Sequence, residues 1–277
     1  MSDLRPERAS VEVDGDPASY LTIPVAGPVV LLLHGTYWSR VWLPVLRDMA
    51  YAGIRPIAVD LRGLGLSAGE IDLATGSVPA LAAWVERFLG ALDIDGPIAV
   101  AGHDIGGAIA QRLLVRSELD VTHLVLANSV TFDSWPVPGV ARYRDSAVVD
   151  AATEAEILTS RRVAIAAALA GAANERLVEE YLEPWRRANV RRSWMRLAGA
   201  AHHRYTEELV PELQQSSTPK LLVWGEDDTF QRISYAERFV AEIPRSTLVR
   251  VPRAGHIPME NDPTTIARAI SDFILSS

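Results

Sequence analysis

Polar and apolar positions alternate in two short segments near the start of the chain, residues 9–13 and 20–25, on either side of Asp14-Gly15-Asp16-Pro17. Alternation around such a turn cluster predicts a β-hairpin. From residue 29 the pattern changes. Continuous apolar runs occupy 29–33, 54–59, 98–101, 122–127, 221–224 and 247–251, and runs of this kind suit strands buried on both faces of a mostly parallel sheet. Between them the apolar period lengthens to that of a helix. Trp42, Val45, Leu46 and Met49 share one helical face that Gly53 closes. Further helices are expected from Ser77 or Pro79 to Leu92, and over 105–115, 234–242 and 263–275.

The regular alternation of strand and helix stops after the strand at 122–127. Residues 130–217 read as mostly helical, rich in Ala and Arg, and contain Trp135, Trp185, Trp194, Tyr143, Tyr181 and Tyr205. Within this block the Ala-rich run 163–173 reads as a buried helix, because it is too short to span a bilayer. Alternating β and α elements imply an open parallel sheet wound on both sides, with active residues at the carboxyl ends of the strands. The expected organisation is a core of residues 1–129 and 218–277, with 130–217 inserted as a helical cap over those strand ends. Val137-Pro138-Gly139 and Ser216-Ser217-Thr218-Pro219 read as its hinges.

Composition narrows the class. With 277 residues and 48% hydrophobic positions, the chain has material for a large core. A net charge of −8 argues against nucleic acid as a partner, and no apolar run reaches the length of a membrane span. The absence of cysteine excludes disulfides, thiolate metal sites and a Cys nucleophile. The first residues, Met1-Ser2-Asp3-Leu4-Arg5-Pro6, lack a basic region followed by an apolar stretch, so no signal peptide is expected. A cytoplasmic protein, monomeric or homodimeric and acting on a small molecule, is the default expectation.

Three loops at strand ends carry candidate chemistry. Gly102-His103-Asp104-Ile105-Gly106 has the spacing of a G-x-S-x-G nucleophile elbow, with a carboxylate where a serine is usual. Gly225-Glu226-Asp227-Asp228 and Ala254-Gly255-His256-Ile257-Pro258 follow the last two strands. Nucleophile, acid and His stand in the chain order of a hydrolase triad. Asp104 has a structural rival role as the N-cap of the following helix, although a cap does not require the flanking glycines. The Gly-rich loop Asp60-Leu61-Arg62-Gly63-Leu64-Gly65-Leu66-Ser67 lacks the order of a phosphate-binding motif.

These residues together resemble the α/β-hydrolase superfamily with a helical cap. His34-Gly35 resembles its oxyanion loop, Asp60–Ser67 its D-x-R-G-x-G-x-S loop, Gly102–Gly107 its elbow, Gly225-x-x-Asp228 its acid turn and Gly255-His256 its histidine turn. The similarity spans nearly the whole chain. It implies an α/β-hydrolase fold with a mostly parallel central sheet, helices on both faces and a cap inserted after strand 6. An Asp at the elbow resembles the branch that contains epoxide hydrolases, haloalkane dehalogenases and fluoroacetate dehalogenases.

A free carboxylate, with a pKa of about 4, is ionised at pH 7 and attacks an sp³ carbon without a base. The expected intermediate is an alkyl ester on Asp104. His256 would then activate water, Asp228 would orient the imidazole, and the backbone N–H groups of Thr36 and Ile105 would hold the oxyanion. Asp133, Glu226 and Asp227 are the rival acids, and Asn128 stands where some relatives carry theirs. The leaving group is less legible. Epoxide hydrolases of this branch use two cap tyrosines, for which Tyr143, Tyr181 and Tyr205 are candidates, with Tyr37 as a further donor. Haloalkane dehalogenases use N–H donors from a Trp directly after the nucleophile and from an Asn or second Trp, and fluoroacetate dehalogenases carry an Arg after the nucleophile. This chain has Ile105 there and Thr36 after His34-Gly35, which leaves Trp38, Trp135 and Trp185 as the alternatives. An apolar or aromatic epoxide is therefore the first expectation, an alkyl halide the second, and an ester or lactone the third. Ligand binding without turnover is the reading from a different class. No cofactor or metal is expected. Adjacent His202 and His203 cannot chelate together on a helix, and Arg186, Arg187, Arg191, Arg192 and Arg196 read as a solvated face paired with Glu179, Glu180 and Glu183.

Overall fold

The computed structural model describes residues 4–276; the N-terminal reading on Met1-Ser2-Asp3 and the outer domain bounds at 1 and 277 fall outside them. Eight strands form one sheet in the order β1-β2-β4-β3-β5-β6-β7-β8. β1 (Glu7–Val13) and β2 (Asp16–Thr22) make the expected hairpin. β2 pairs antiparallel with β4 (Arg55–Val59), and every later pairing is parallel. The central strands are β3 (Val29–Leu33), β5 (Ile98–Asp104), β6 (Val121–Ser129) and β7 (Lys220–Gly225), with β8 (Ser246–Val251) at the edge.

The continuous apolar runs are buried on both faces, as helices cover them from both sides. α1 (Leu43–Tyr51) packs on α12 (Pro263–Leu275), and α2 (Val78–Ala91) packs on α3 (Ile105–Arg116). α3 lies so close to β6 that a Cβ on Gly107 would stand 1.5 Å from Ser129 Oγ. A side chain there would push the helix off the sheet, so the second glycine of the Gly106-Gly107 pair sets the packing distance.

Between β6 and β7 the chain is helical: α4 (Ser146–Ala151), α5 (Glu154–Leu169), α6 (Glu175–Leu182), α7 (Ala188–Ala200), α8 (Arg204–Glu207) and α9 (Val210–Gln215), joined by short 3-10 turns. The boundaries of α5 correct the reading of 163–173 as one buried helix. The helix starts at a capping box made by Thr153 and Glu156, ends at Leu169, and leaves Val163 66% exposed. Alanine is apolar enough to mimic a core run yet small enough to line a solvated face. α10 (Ile233–Glu242) and the short α11 (Pro258–Asn261) complete the chain. No helix among the described residues is long and apolar enough to cross a membrane.

The Asp60 loop is bound to itself and to its surroundings. Asp60 accepts from the backbone N–H groups of Ser39 (2.7 Å) and Leu66 (3.0 Å), and from Arg8 at 2.9 Å. Its carboxylate is consumed in holding three chain segments together.

Candidate active site

β5 runs three residues past the apolar stretch and delivers Asp104 at φ 54° and ψ −128°. A non-glycine residue at positive φ is strained and is kept only where its surroundings hold it. Here both flanks are glycines packed against backbone. A Cβ on Gly102 would sit 2.4 Å from the Gly107 Cα, and one on Gly106 would sit 2.5 Å from the Leu33 carbonyl oxygen. Asp104 occupies the N-cap position of α3, yet its side chain makes no capping hydrogen bond. The helix-cap role is therefore not what this carboxylate performs.

What it meets instead is the loop after β3. Thr36 donates to Asp104 Oδ2 twice, from its backbone N–H at 2.8 Å and its hydroxyl at 2.7 Å. The Gly35 backbone lies against the same group, and a Cβ there would be 2.6 Å from Oδ2 and 2.4 Å from the Ile105 nitrogen. Thr36 N–H and Ile105 N–H thus border one spot beside the carboxylate, while Oδ1 has no hydrogen bond among the described residues. His34 fixes the loop from behind, with its Nε2 accepting from the Leu61 N–H at 2.9 Å.

His256 Nδ1 lies 2.8 Å from Asp228 Oδ2, which leaves Nε2 as the ring nitrogen available for chemistry. Asp228 Oδ2 also accepts from Asn128 Nδ2 at 2.7 Å, and Oδ1 accepts from the backbone N–H groups of Phe230 (2.7 Å) and Gln231 (3.0 Å). Burial pushes the Asp228 carboxyl upward, but the His256 charge and hydrogen bond, the Asn128 amide and the Gln231 N–H outweigh it. The net effect holds Asp228 below the usual carboxylate range. For His256, burial works downward, and the Asp228 charge, the Asp228 hydrogen bond and the Asp104 charge outweigh it to raise the pKa above its ordinary value.

The rival acids are placed elsewhere. Asp133 pairs with Arg238 at 3.1 Å and Glu226 with Arg250 at 3.5 Å, both in solvent-facing pairs, and Asp227 is exposed. His103 lies beside His256, with ring centroids 4.8 Å apart, but its Nε2 donates to the His256 carbonyl oxygen at 2.8 Å. Burial, followed by the His256 charge, pushes His103 down to about 4. It is neutral at pH 7.

Asp104 and His256 open onto one small cavity of about 100 Å³. Its polar wall is Thr36, Tyr37, Arg161 and Gln231; most of the rest is apolar, including Ile105, Val130, Trp135, Trp194 and Phe230. Of the leaving-group donors expected from sequence, only Tyr37 and Trp135 line it, and the Trp135 indole N–H already donates to Thr206 at 2.8 Å. The others are corrected. Trp38 donates to the Tyr181 carbonyl oxygen at 3.2 Å, and Tyr181 donates its hydroxyl to Glu260 at 2.8 Å. The Tyr143 hydroxyl accepts from Arg142 at 2.7 Å, and that of Tyr205 accepts from Arg204 at 3.1 Å. Trp185 is buried behind Arg161. Aromatic content marked the helical block correctly, but these side chains are spent on its own packing.

Arg161, Trp194, Phe230 and Gln231 are cavity residues that sequence reasoning missed. Phe230 and Gln231 stand two and three residues after the acid, a spacing that points back to the same strand end. Arg161 gave no signal, because an Arg on an Ala-rich helix reads as surface. The expected Arg-rich face is partly as read: Arg186 pairs with Glu179 at 2.7 Å and Glu183 at 3.2 Å. Arg192 instead reaches Glu70 at 2.8 Å, and Arg187 reaches the Gly65 carbonyl oxygen, so part of this face docks on the Asp60 loop. His203 pairs with Glu207 at 2.6 Å.

Comparison with known proteins places this geometry among relatives. The model of a family described as the alpha/beta hydrolase family matches residues 30–269. A haloalkane dehalogenase of Mesorhizobium japonicum is 26% identical over 305 residues, covering 97% of this chain and 91% of that protein. The pimeloyl-[acyl-carrier protein] methyl ester esterase of Nitrosomonas europaea is 27% identical over 86% of this chain and 92% of that one. Among solved structures, an alpha/beta hydrolase fold protein from Burkholderia ambifaria superposes with a TM-score of 0.81 at 24% identity, covering 100% of this chain and 99% of that one.

Proposed function

We propose that this chain, which belongs to the alpha/beta hydrolase family, hydrolyses a small electrophile at an sp³ carbon through an ester on Asp104. The observation that carries this reading is the double donation from Thr36 to Asp104 Oδ2. It holds one carboxylate oxygen where an oxyanion would later form and leaves the other free to attack.

In the first step Oδ1 forms a bond to the substrate carbon, and the bond to the leaving group breaks with its electron pair on that group. In the second, His256 Nε2 takes a proton from water as the water oxygen adds to the ester carbonyl carbon. Negative charge then develops on Oδ2, beside the N–H groups of Thr36 and Ile105. Collapse expels the product alcohol, which takes its proton from His256, and leaves Asp104 as a carboxylic acid whose remaining proton passes to bulk water to restore the carboxylate. Asp228 fixes the imidazole with Nδ1 protonated and supports the imidazolium while it exists.

The leaving group is best read as a halide, which reverses the order expected from sequence. The hydroxyls of all three candidate cap tyrosines are engaged away from the cavity, and the aligned relatives named haloalkane dehalogenases match most of the chain. An engineered apolar cavity of about 150 Å³ holds one benzene, so the smaller cavity here favours a compact substrate. An epoxide is the second reading, favoured by Tyr37, whose ring lies 5.9 Å from that of His256. The test is to expose His256→Gln protein to 1-bromobutane and to 1,2-epoxybutane and measure the mass of the elbow peptide. An alkyl adduct on Asp104 from the bromide supports the halide reading, and an adduct from the epoxide alone supports the second. No adduct from either defeats the proposal.

A further inference from the structure

We infer that Arg161 and Trp194 form an anion subsite in the wall of the cavity, taking a small monovalent anion and, by its geometry, a halide before a carboxylate. This deepens the proposed function, on which the halide as product rests; the subsite itself stands on the observations below.

Arg161 is 6% exposed and lines the cavity with Asp104 and His256. Burying a charge is costly unless it is paired and hydrogen-bonded. The chain meets that requirement at Arg40, its other deeply buried arginine, whose guanidinium bonds Glu180 at 2.5 Å and Glu260 at 2.6 Å. Arg161 has no such carboxylate in contact among the described residues. Its Nη2 donates to the Thr36 carbonyl oxygen at a long 3.4 Å, and its Nε is buried with no partner. The guanidinium lies among three aromatic rings instead, 5.4 Å from the Tyr37 centroid, 5.0 Å from Trp185 and 4.7 Å from Trp194. These faces hold the charge in place without neutralising it.

Trp194 supplies the second observation. It also lines the cavity, and its indole nitrogen is buried without an acceptor. An indole N–H only donates. Two adjoining side chains of the same wall therefore carry N–H groups that lack an acceptor, one of them on a cation.

The reaction explains why such a site belongs beside Asp104. While Asp104 is ionised, its charge balances Arg161 across the cavity. Formation of the ester neutralises that carboxylate and moves the negative charge to the leaving group. Arg161 then has no counter-charge except the departing anion. One Nε–H and one indole N–H offer two separate donors, not the parallel pair with which Arg grips a carboxylate. That arrangement suits a monatomic ion.

The test uses Asp104→Asn protein, which cannot form the ester and lacks the competing carboxylate. Sodium bromide, chloride and acetate are titrated at constant ionic strength while tryptophan fluorescence is followed; Trp185 reports beside Arg161 even when Trp194 is changed. Saturable bromide binding is expected, tighter than in the parent protein. Arg161→Gln and Trp194→Phe should each weaken it by about tenfold or more. If Arg161→Gln fails to fold, Trp194→Phe, which keeps an aromatic ring, carries the comparison. Tighter saturation by acetate than by bromide overturns the halide preference. Linear, unsaturable quenching, or saturation unchanged in a folded variant, overturns it. Failure of the Asp104 ester would show in the trapping experiment and leave this titration unaffected.

Discussion

Asn128 donates to Asp228 through the same carboxylate oxygen that faces His256, at 2.7 Å against 2.8 Å. The amide comes from the end of β6 and also accepts the Gly225 N–H at 2.8 Å, so it ties the strand ends of β6 and β7 together. Asn128→Ala should remove one of the donors that keep Asp228 ionised. Leaving a buried acceptor short of a partner costs about 1–3 kcal/mol. We expect a lower melting temperature and about a tenfold slower ester hydrolysis, measured by thermal unfolding and single-turnover kinetics.

The pH dependence follows from the direction of the His256 shift. The base acts when neutral, and its pKa is raised above the ordinary value by Asp228 and Asp104 against burial. In the ester Asp104 carries no charge, so Asp228 is what holds the base up against burial; ester hydrolysis should be slow below the pKa of His256 in that state, climb through it and level off above. The stability it contributes has the opposite course. A folded pKa above the unfolded value of about 6.5 stabilises the fold fully below that value. The contribution is lost as pH rises through the folded pKa. Asp228→Asn removes the charge that raises it and should move the kinetic midpoint to lower pH. A midpoint that stays put would show that another group is titrating.

Gly35→Ala tests the fit between the oxyanion loop and the elbow. Its Cβ would fall 2.6 Å from Asp104 Oδ2 and 2.4 Å from the Ile105 nitrogen; the nitrogen cannot yield without moving the backbone, and Oδ2 can yield only by rotating away from Thr36. Overpacking of this kind typically costs about 1–3 kcal/mol. The expected outcome is a folded protein with turnover reduced by about a hundredfold or more, because one displaced donor at such a site costs that much. Wild-type rates would mean that Oδ2 is not held where the reaction needs it.

Thr36→Val separates the two donations to Oδ2. The backbone N–H stays and the hydroxyl goes, so alkylation and hydrolysis should both slow by about tenfold, as for a lost hydrogen bond to a charged group. Folding should be unaffected, as circular dichroism would show.

The hairpin, the apolar strands and the three strand-end loops of the candidate site were legible because each depends on local rules. Alternation, unbroken apolar runs and glycines at close approaches leave marks in the chain itself. Asp104, Asp228 and His256 were singled out this way, and the fold brings them to one place; the mostly helical stretch between β6 and β7 was legible too. Its interior was not, because which aromatic side chain faces the cavity depends on how α5 and α7 rotate as they pack. Tyr143, Tyr181 and Tyr205 are chemically suited to donate a proton, yet Arg142, Glu260 and Arg204 engage them elsewhere. Arg161 was invisible for the complementary reason. Its neighbours in the chain, Arg162 and Val163, are exposed, and only the fold turns this one position inward.

In the proposed reaction an oxygen of Asp104 becomes the product's hydroxyl oxygen. A single turnover of excess enzyme with a small alkyl halide in ¹⁸O-water, followed by mass analysis of product and elbow peptide, tests it directly. The expected outcome is an unlabelled alcohol and one ¹⁸O in the Asp104 side chain. Labelled alcohol with an unlabelled Asp104 would mean that water attacks the substrate itself, and would contradict the ester intermediate.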